Sequence, residues 1–124
     1  MSRILLAMAV VAAVGLLVAP AHAQNADNGQ KVYRQLCNIC HDVVAGKNRV
    51  GPTLFGVVGR KAGTEAGFTY SDGMKGSGLT WDAATLDRYL ADPRGVVPGT
   101  KMTYGGLKND EQRRDLIAYL STLH

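Results

Sequence analysis

Cys37-Asn38-Ile39-Cys40-His41 is the most informative stretch of this 124-residue chain. Two cysteines separated by two residues and followed at once by histidine form the attachment motif for c-type haem. The spacing suits that chemistry, because two thiols add across the two vinyl groups of one porphyrin and the next residue offers its imidazole to the iron. We therefore predict one covalent haem c, bound through Cys37 and Cys40, with His41 as an axial ligand.

Two other uses of a cysteine pair compete with this interpretation. Half of a zinc site would need further ligands, but the chain has no second cysteine pair, and His124 is the only other histidine after the leader described below. A thioredoxin-like redox pair would need a strand leading into the motif, whereas the residues before Cys37 have a helical pattern. The sequence therefore supports haem attachment better than either a zinc site or a redox pair.

Residues 1–23 have the features of a secretory signal peptide. Arg3 precedes an apolar run from Ile4 to Ala19, and Ala21-His22-Ala23 provides a small-x-small cleavage site. Cleavage before Gln24 would leave one domain of 101 residues, 24–124, in the periplasm. The apolar run of 16 residues is short for a membrane span, although an uncleaved anchor is the alternative.

Composition excludes several classes of protein. Only 19% of the residues are charged and 46% are apolar, which argues against a charged coiled coil or a disordered tail. Without the leader the chain has 13 basic and 10 acidic residues, and the basic ones are scattered rather than clustered. We therefore expect no nucleic-acid binding.

The apolar periodicity predicts three main helices and no sheet. The first runs from Asp27 to Cys37, the second from Asp82 to Ala91, where Pro93 stops it, and the third from Asn109 to Thr122. The inner face of the first helix is predicted to comprise Gly29, Val32, Tyr33, Leu36 and Cys37. In the third, we expect Leu116, Ile117 and Leu120 to point inward and Arg113 and Arg114 outward.

The stretch from Asp42 to Leu79 is glycine-rich and has no sustained period. A long irregular stretch is unusual in a small domain, but a buried macrocycle supplies the apolar surface that loops cannot bury among themselves. We therefore predict an all-α fold in which helices and glycine-rich loops wrap around one haem.

The second axial ligand separates electron transfer from catalysis. The candidates are Met74, Met102, a lysine or an open position. Met102 follows a rigid turn, Pro98-Gly99-Thr100-Lys101, between two helices, and a thioether ligand raises the potential of haem iron. We therefore favour Met102, although a lone methionine can also be core filler.

With these residues in view, the chain closely resembles the class I c-type cytochromes, the group of mitochondrial cytochrome c and bacterial cytochrome c2. The resemblance covers nearly all of residues 25–124. Besides the haem motif, it rests on Val50-Gly-Pro-Thr-Leu54, Gly67-Phe-Thr-Tyr70, Leu79-Thr-Trp81, Pro98-Gly-Thr-Lys-Met102 and Asp115-Leu-Ile-Ala-Tyr-Leu120.

The resemblance implies further haem contacts. Pro52 matches a proline whose carbonyl accepts a hydrogen bond from the proximal imidazole. Tyr70 and Trp81 match donors to a propionate, and Arg60 matches an arginine that offsets propionate charge. Tyr89 and Thr100 match residues that tune the geometry of the Met102 side. Gly29 and Tyr33 match the pair at which the first helix crosses the last, against Leu116 and Tyr119.

Two positions depart from the family pattern. Met74 stands where an asparagine is frequent, which puts the family's internal water network in doubt and leaves Met74 as a competing ligand. Tyr104 stands where a phenylalanine is frequent. The segment from His41 to Pro52 is also about one residue shorter than in mitochondrial proteins.

The resemblance implies a soluble periplasmic one-electron carrier, not an enzyme, with no small-molecule substrate. It would be a monomer that shuttles between a cytochrome bc-type donor and a terminal oxidase, reductase or photosynthetic acceptor. Membrane complexes with acidic docking faces would meet a lysine ring, for which the candidates are Lys31, Lys47, Lys101 and Lys108. The alternatives are an enzyme or gas sensor in which Met102 dissociates readily, and a haem-free thiol–disulfide protein.

Overall fold

The computed structural model describes residues 15–16 and 24–124, and these residues form an all-α fold, as predicted. The remaining residues of the expected leader, 1–14 and 17–23, lie outside the described part of the chain. The elements are α1 (Ala26–Val32), a π-helical turn (Tyr33–Cys37), α2 (Asp72–Lys75), α3 (Ala83–Ala91), α4 (Pro93–Val96) and α5 (Asp110–Leu120). Over the described ranges, extended pairing is limited to one bridge between Lys61 and Thr80.

Side chains placed just before the helices fix where they begin. The Asp82 carboxylate accepts from the Thr85 amide at 2.8 Å, and the Asn109 side chain accepts from the Gln112 amide at 3.0 Å. Such caps satisfy amides that have no partner within the helix. Pro93 ends α3 but also opens α4, because its fixed φ suits a first helical turn.

Helices α1 and α5 cross in close contact at Gly29. A Cβ at this position would overlap the backbone carbonyl of Asp115 and approach the Cβ of Tyr119 within 2.8 Å. One turn further along, the rings of Tyr33 and Tyr119 pack with centroids 5.7 Å apart. This contact aligns the haem motif, which follows α1, with the buried face of α5.

The first helix departs from the prediction after Val32. The Asn38 amide donates to the Tyr33 carbonyl at 2.9 Å, which is the five-residue spacing of a π-helical turn. The Tyr33 hydroxyl also donates to the His41 carbonyl at 2.9 Å. Leu36 is 38% exposed, and together with Cys37 it lines the cavity described below.

The expected outward position of Arg113 is also wrong, since this side chain is only 8% exposed. Its guanidinium donates to the Asp87 carboxylate of α3 at 2.7 Å, to Asp110 at 2.7 Å and to the Leu107 carbonyl at 2.9 Å. These acceptors compensate for the loss of water around a buried charge. Arg114 is exposed, as expected.

In the part of the chain that the structure describes, no helix combines the length and apolar character that a bilayer span requires.

We predict that Arg113→Ala destabilises the holoprotein by about 1–3 kcal/mol, because it removes hydrogen bonds to two carboxylates and leaves the Leu107 carbonyl without its donor. The matched control is Arg114→Ala, an exposed neighbour on the same helix, which should stay within about 0.5 kcal/mol of wild type. Guanidinium unfolding of both variants measures the difference. Equal free energies of unfolding for the two variants would show that the hydrogen bonds of Arg113 do not stabilise the fold.

Candidate haem-binding site

A largely apolar cavity of about 350 Å³ lies between the helices and the glycine-rich loop. Leu86 and Leu90 of α3 and Leu116 and Leu120 of α5 form part of its wall, and Cys37, Cys40, His41 and Met102 also line it. Its size lies in the range of sites that hold small organic cofactors. The cavity thus holds two thiols and one imidazole together with the thioethers of Met74 and Met102, and a His/Met-ligated haem c requires the thiols, the imidazole and one thioether.

The haem motif forms a tight turn directly after the π-helical segment. The amides of Cys40 and His41 both donate to the Cys37 carbonyl, at 3.1 and 2.9 Å. Both cysteines are unpaired and partly buried. Burial, with a smaller effect of Cys40, raises the pKa of Cys37 to about 11, so this sulfur is a neutral thiol in the absence of a covalent bond.

The His41 imidazole is fixed through its Nδ1, which lies 2.8 Å from the Pro52 carbonyl oxygen. A carbonyl only accepts, so the proton must reside on Nδ1, and Nε2 keeps its lone pair for a metal. Burial lowers the pKa of His41, the Pro52 hydrogen bond opposes this shift, and the positive charges of Arg60 and Arg49 lower the pKa further. The ring is therefore held neutral, the form that ligates iron.

Gly51 supports the imidazole and was not singled out by the sequence analysis. A Cβ at Gly51 would overlap three ring atoms of His41, among them Nδ1 and Nε2. Only glycine lets the backbone approach the ring this closely. The Gly51-Pro52 pair thus combines a close approach with a hydrogen-bond acceptor, and only the second role had a signal in the sequence.

The predicted Met102 side of the cavity contains a short hydrogen-bonded chain. The hydroxyls of Tyr89 and Thr100 are 2.8 Å apart, and the Met102 amide donates to the Thr100 hydroxyl at 3.3 Å. Burial raises the pKa of Tyr89, partly offset by the Thr100 hydrogen bond, and keeps it a neutral phenol. Met102 is partly buried, in a segment without regular secondary structure. Met74 is 8% exposed and lines the same cavity, so the structure brings both candidate thioethers to the site.

Three polar side chains that the resemblance assigned to the propionates also line the cavity: Arg60, Tyr70 and Trp81. Trp81 is buried against Tyr89, with ring centroids 4.8 Å apart. The Tyr70 hydroxyl accepts from the Glu65 amide at 3.2 Å. Arg60 already pairs with Glu65 at 2.9 Å and donates to the Thr53 carbonyl at 2.9 Å, so its charge is partly compensated within the chain.

The four candidate docking lysines are exposed, but three of them contact the chain itself. Lys47 pairs with Asp42 at 3.3 Å, Lys101 donates to the Thr69 carbonyl at 3.0 Å, and Lys108 donates to the Ala91 carbonyl at the end of α3. Lys31 lies in the last turn of α1. Lys101 also lines the haem cavity.

Comparison with known proteins identifies the family of this chain. The cytochrome c family model matches residues 26–124. Cytochrome c2 of Rhodomicrobium vannielii is 58% identical over 97 residues, which cover 77% of this chain and 77% of that protein. Cytochrome c2 iso-2 of Magnetospirillum fulvum is 60% identical over 88 residues, which cover 71% of this chain and 92% of that protein.

Cytochrome cH from Methylobacterium extorquens is a similar solved structure, with a TM-score of 0.74 and 49% identity; the match covers 79% of this chain and 98% of that one. The family implies one covalent haem c, and Cys37 and Cys40 have the spacing that its attachment requires. The chain therefore belongs to the cytochrome c family, as a class I c-type cytochrome of the c2 group.

Proposed function

We propose that this haem c electron carrier is exported to the periplasm and uses His41 and Met102 as axial ligands. Its partners would be a cytochrome bc-type donor and a terminal oxidase, reductase or photosynthetic acceptor. Family membership supports electron transport on haem c. The observation that carries the ligand assignment is the neutral His41 ring, fixed by Pro52 and Gly51, in a cavity that Met102 also lines.

When bound, the haem supplies an iron that changes oxidation state by one electron. His41 presents an unprotonated Nε2, because the Pro52 carbonyl holds the ring proton on Nδ1. Thr100 bonds the Met102 amide and Tyr89 bonds Thr100, so the backbone that carries the thioether is restrained. With both ligands in place no coordination position is left for a substrate, which favours a carrier over an enzyme.

The polar residues of the cavity complete the proposed assignment. In this proposal Tyr70 and Trp81 donate to the haem propionates and Arg60 offsets their charge; all three residues line the cavity, and Arg60 also pairs with Glu65. Buried carboxylates need such donors, because they lose water on entering the cavity. Cys37 and Cys40 provide the thioether bonds that make the attachment permanent.

The proposed location follows from residues 1–23. Their basic start, apolar run and small-residue cleavage site are typical of an export signal that is removed before Gln24. Domain 24–124 would then mature in the periplasm as a monomer. There, Lys31, Lys47, Lys101 and Lys108 would face acidic docking surfaces of membrane complexes and speed encounter with them.

We expect Met102→Ala to abolish the weak far-red iron–sulfur band of the oxidised holoprotein and to let carbon monoxide bind the reduced form. The reason is that this substitution removes the proposed thioether ligand. Met74→Leu is the matched control, since it removes the other methionine of the cavity and should retain the band. Visible spectra in both oxidation states measure the result. Ready carbon monoxide binding by wild type would instead favour an enzyme or gas sensor.

Gly51→Ala should displace the His41 ring, because the added methyl group overlaps it. The expected results are a changed midpoint potential and lower stability, by about 1–3 kcal/mol. Gly105→Ala is the control, since a Cβ there meets no atom within 4 Å and its φ is not positive. Redox titration and thermal unfolding compare the variants. An unchanged potential in Gly51→Ala would mean that Gly51 does not position the ligand.

Electron transfer from a cytochrome bc-type complex should slow as ionic strength rises from about 0.01 to about 0.15 M, because salt shortens the range of attraction between exposed charges. Lys101→Gln should flatten this dependence, whereas Lys61→Gln, an exposed lysine outside the proposed ring, should not. Stopped-flow rates at several salt concentrations measure both effects. If the electron-transfer rate of wild type does not change with ionic strength, the proposed docking role of the lysines is wrong.

A further inference from the structure

The charged side chains that line the haem cavity are basic. Over the described residues, Arg60 and Lys101 line it as permanent cations, and no carboxylate does. Lys101 is exposed, whereas the Arg60 side chain is only 13% exposed. Water and salt screen an exposed charge more strongly than a buried one. Arg60 is therefore the less screened of the two cations.

Glu65 pairs with Arg60 without lining the cavity itself. The Glu65 Oε2 accepts from Nη1 of Arg60 at 2.9 Å, and the Glu65 side chain is only 18% exposed. By contrast, both side chains of the Lys75–Asp72 pair are more than half exposed, and pairs of that kind contribute little. The Arg60–Glu65 pair is largely removed from water, so each charge strongly affects its surroundings.

Both members of the pair are held in place by further contacts. Nη2 of Arg60 donates to the Thr53 carbonyl at 2.9 Å, and the Arg60 carbonyl accepts from the Trp81 amide at 2.9 Å. The Glu65 amide donates to the Tyr70 hydroxyl at 3.2 Å. Because Trp81 and Tyr70 both line the cavity, these contacts connect the ion pair to the cavity wall.

The two charges have opposite effects on Tyr70. Burial raises the pKa of the Tyr70 phenol, and the hydrogen bond from the Glu65 amide lowers it. The positive charge of Arg60 lowers this pKa further, while the negative charge of Glu65 raises it. The carboxylate therefore counteracts the guanidinium at a side chain of the cavity wall.

Charges near the cavity affect the two oxidation states differently. Reduction adds one electron, so the charge of the haem site becomes more negative by one unit. A buried cation nearby favours the reduced state, and a buried anion favours the oxidised state. Arg60 without a partner would therefore raise the midpoint potential, and a carboxylate paired with it reduces that effect.

We propose that Glu65 is a positioning residue that lowers the midpoint potential, because it holds the Arg60 guanidinium in place and neutralises its charge. This role rests on the proposed placement of Arg60 beside the haem propionates. It differs from simple anchoring of the loop, which would stabilise both oxidation states equally and leave the potential unchanged.

Redox titration of the Glu65→Gln holoprotein, at fixed pH and ionic strength, tests this role. We expect the midpoint potential to shift upward, so that the ratio of reduced to oxidised protein in equilibrium with a reference couple rises about fivefold. Arg60→Gln should shift the potential downward. The double variant Arg60→Gln/Glu65→Gln should lie close to wild type, because it removes both opposite charges.

Glu111→Gln is the matched control, since it makes the same chemical change at an exposed residue in the first turn of α5. Its potential should equal that of wild type. An unchanged potential in Glu65→Gln, or an equal shift in Glu111→Gln, would overturn the role of Glu65 and leave the carrier function intact. Lower stability of Glu65→Gln at the wild-type potential would mean that Glu65 only anchors its loop.

Two further results separate the role of Glu65 from the assignments on which it rests. If Arg60→Gln leaves the potential unchanged, the proposed placement of Arg60 is wrong and the role of Glu65 fails with it. Glu65→Asp keeps the negative charge and also serves if Glu65→Gln does not retain haem. Its ratio of reduced to oxidised protein should stay within about twofold of wild type. A fivefold rise in Glu65→Asp would show that the charge of Glu65 does not set the potential.

Discussion

The His41 imidazole is restrained from several directions, and much of the fold serves that restraint. Its Nδ1 is bonded to the Pro52 carbonyl, and the Gly51 backbone lies directly against the ring. Its own carbonyl accepts from the Tyr33 hydroxyl, while the Tyr33 ring packs on Tyr119 of α5. The haem motif, the glycine-rich loop and the terminal helix therefore meet at one side chain, so the position of the ligand depends on all three.

The fold class and the cofactor could be predicted because both depend on local patterns. The five residues of the haem motif need no distant partner to be recognised, and α3 and α5 begin within one residue of their predicted starts because Asp82 and Asn109 are local caps. Family resemblance added pairs that periodicity alone does not reveal. The His41–Pro52 hydrogen bond is of this kind. The resemblance also put Tyr89 and Thr100 on the Met102 side, and the structure shows their hydroxyls 2.8 Å apart.

What the sequence could not predict depends on contacts between distant segments. Arg113 is buried because Asp87, 26 residues away, accepts from it, and a charge in a helical pattern gives no sign of such a partner. Gly51 is required because a ring ten residues earlier occupies the space of its Cβ. Each case needs the folded backbone before the residue's role is visible.

The hydrogen bonds of Arg49 have a consequence for how the molecule meets other proteins. An arginine on a surface usually samples many rotamers, and ordering such a side chain on association costs about 0.5–1.5 kcal/mol. Here the guanidinium is already held by the carbonyls of Asn38 and Ile39, and the same bonds stiffen the turn that carries Ile39. The turn that precedes His41 is therefore ordered before any contact is made, so a contact at this edge would cost little further conformational entropy.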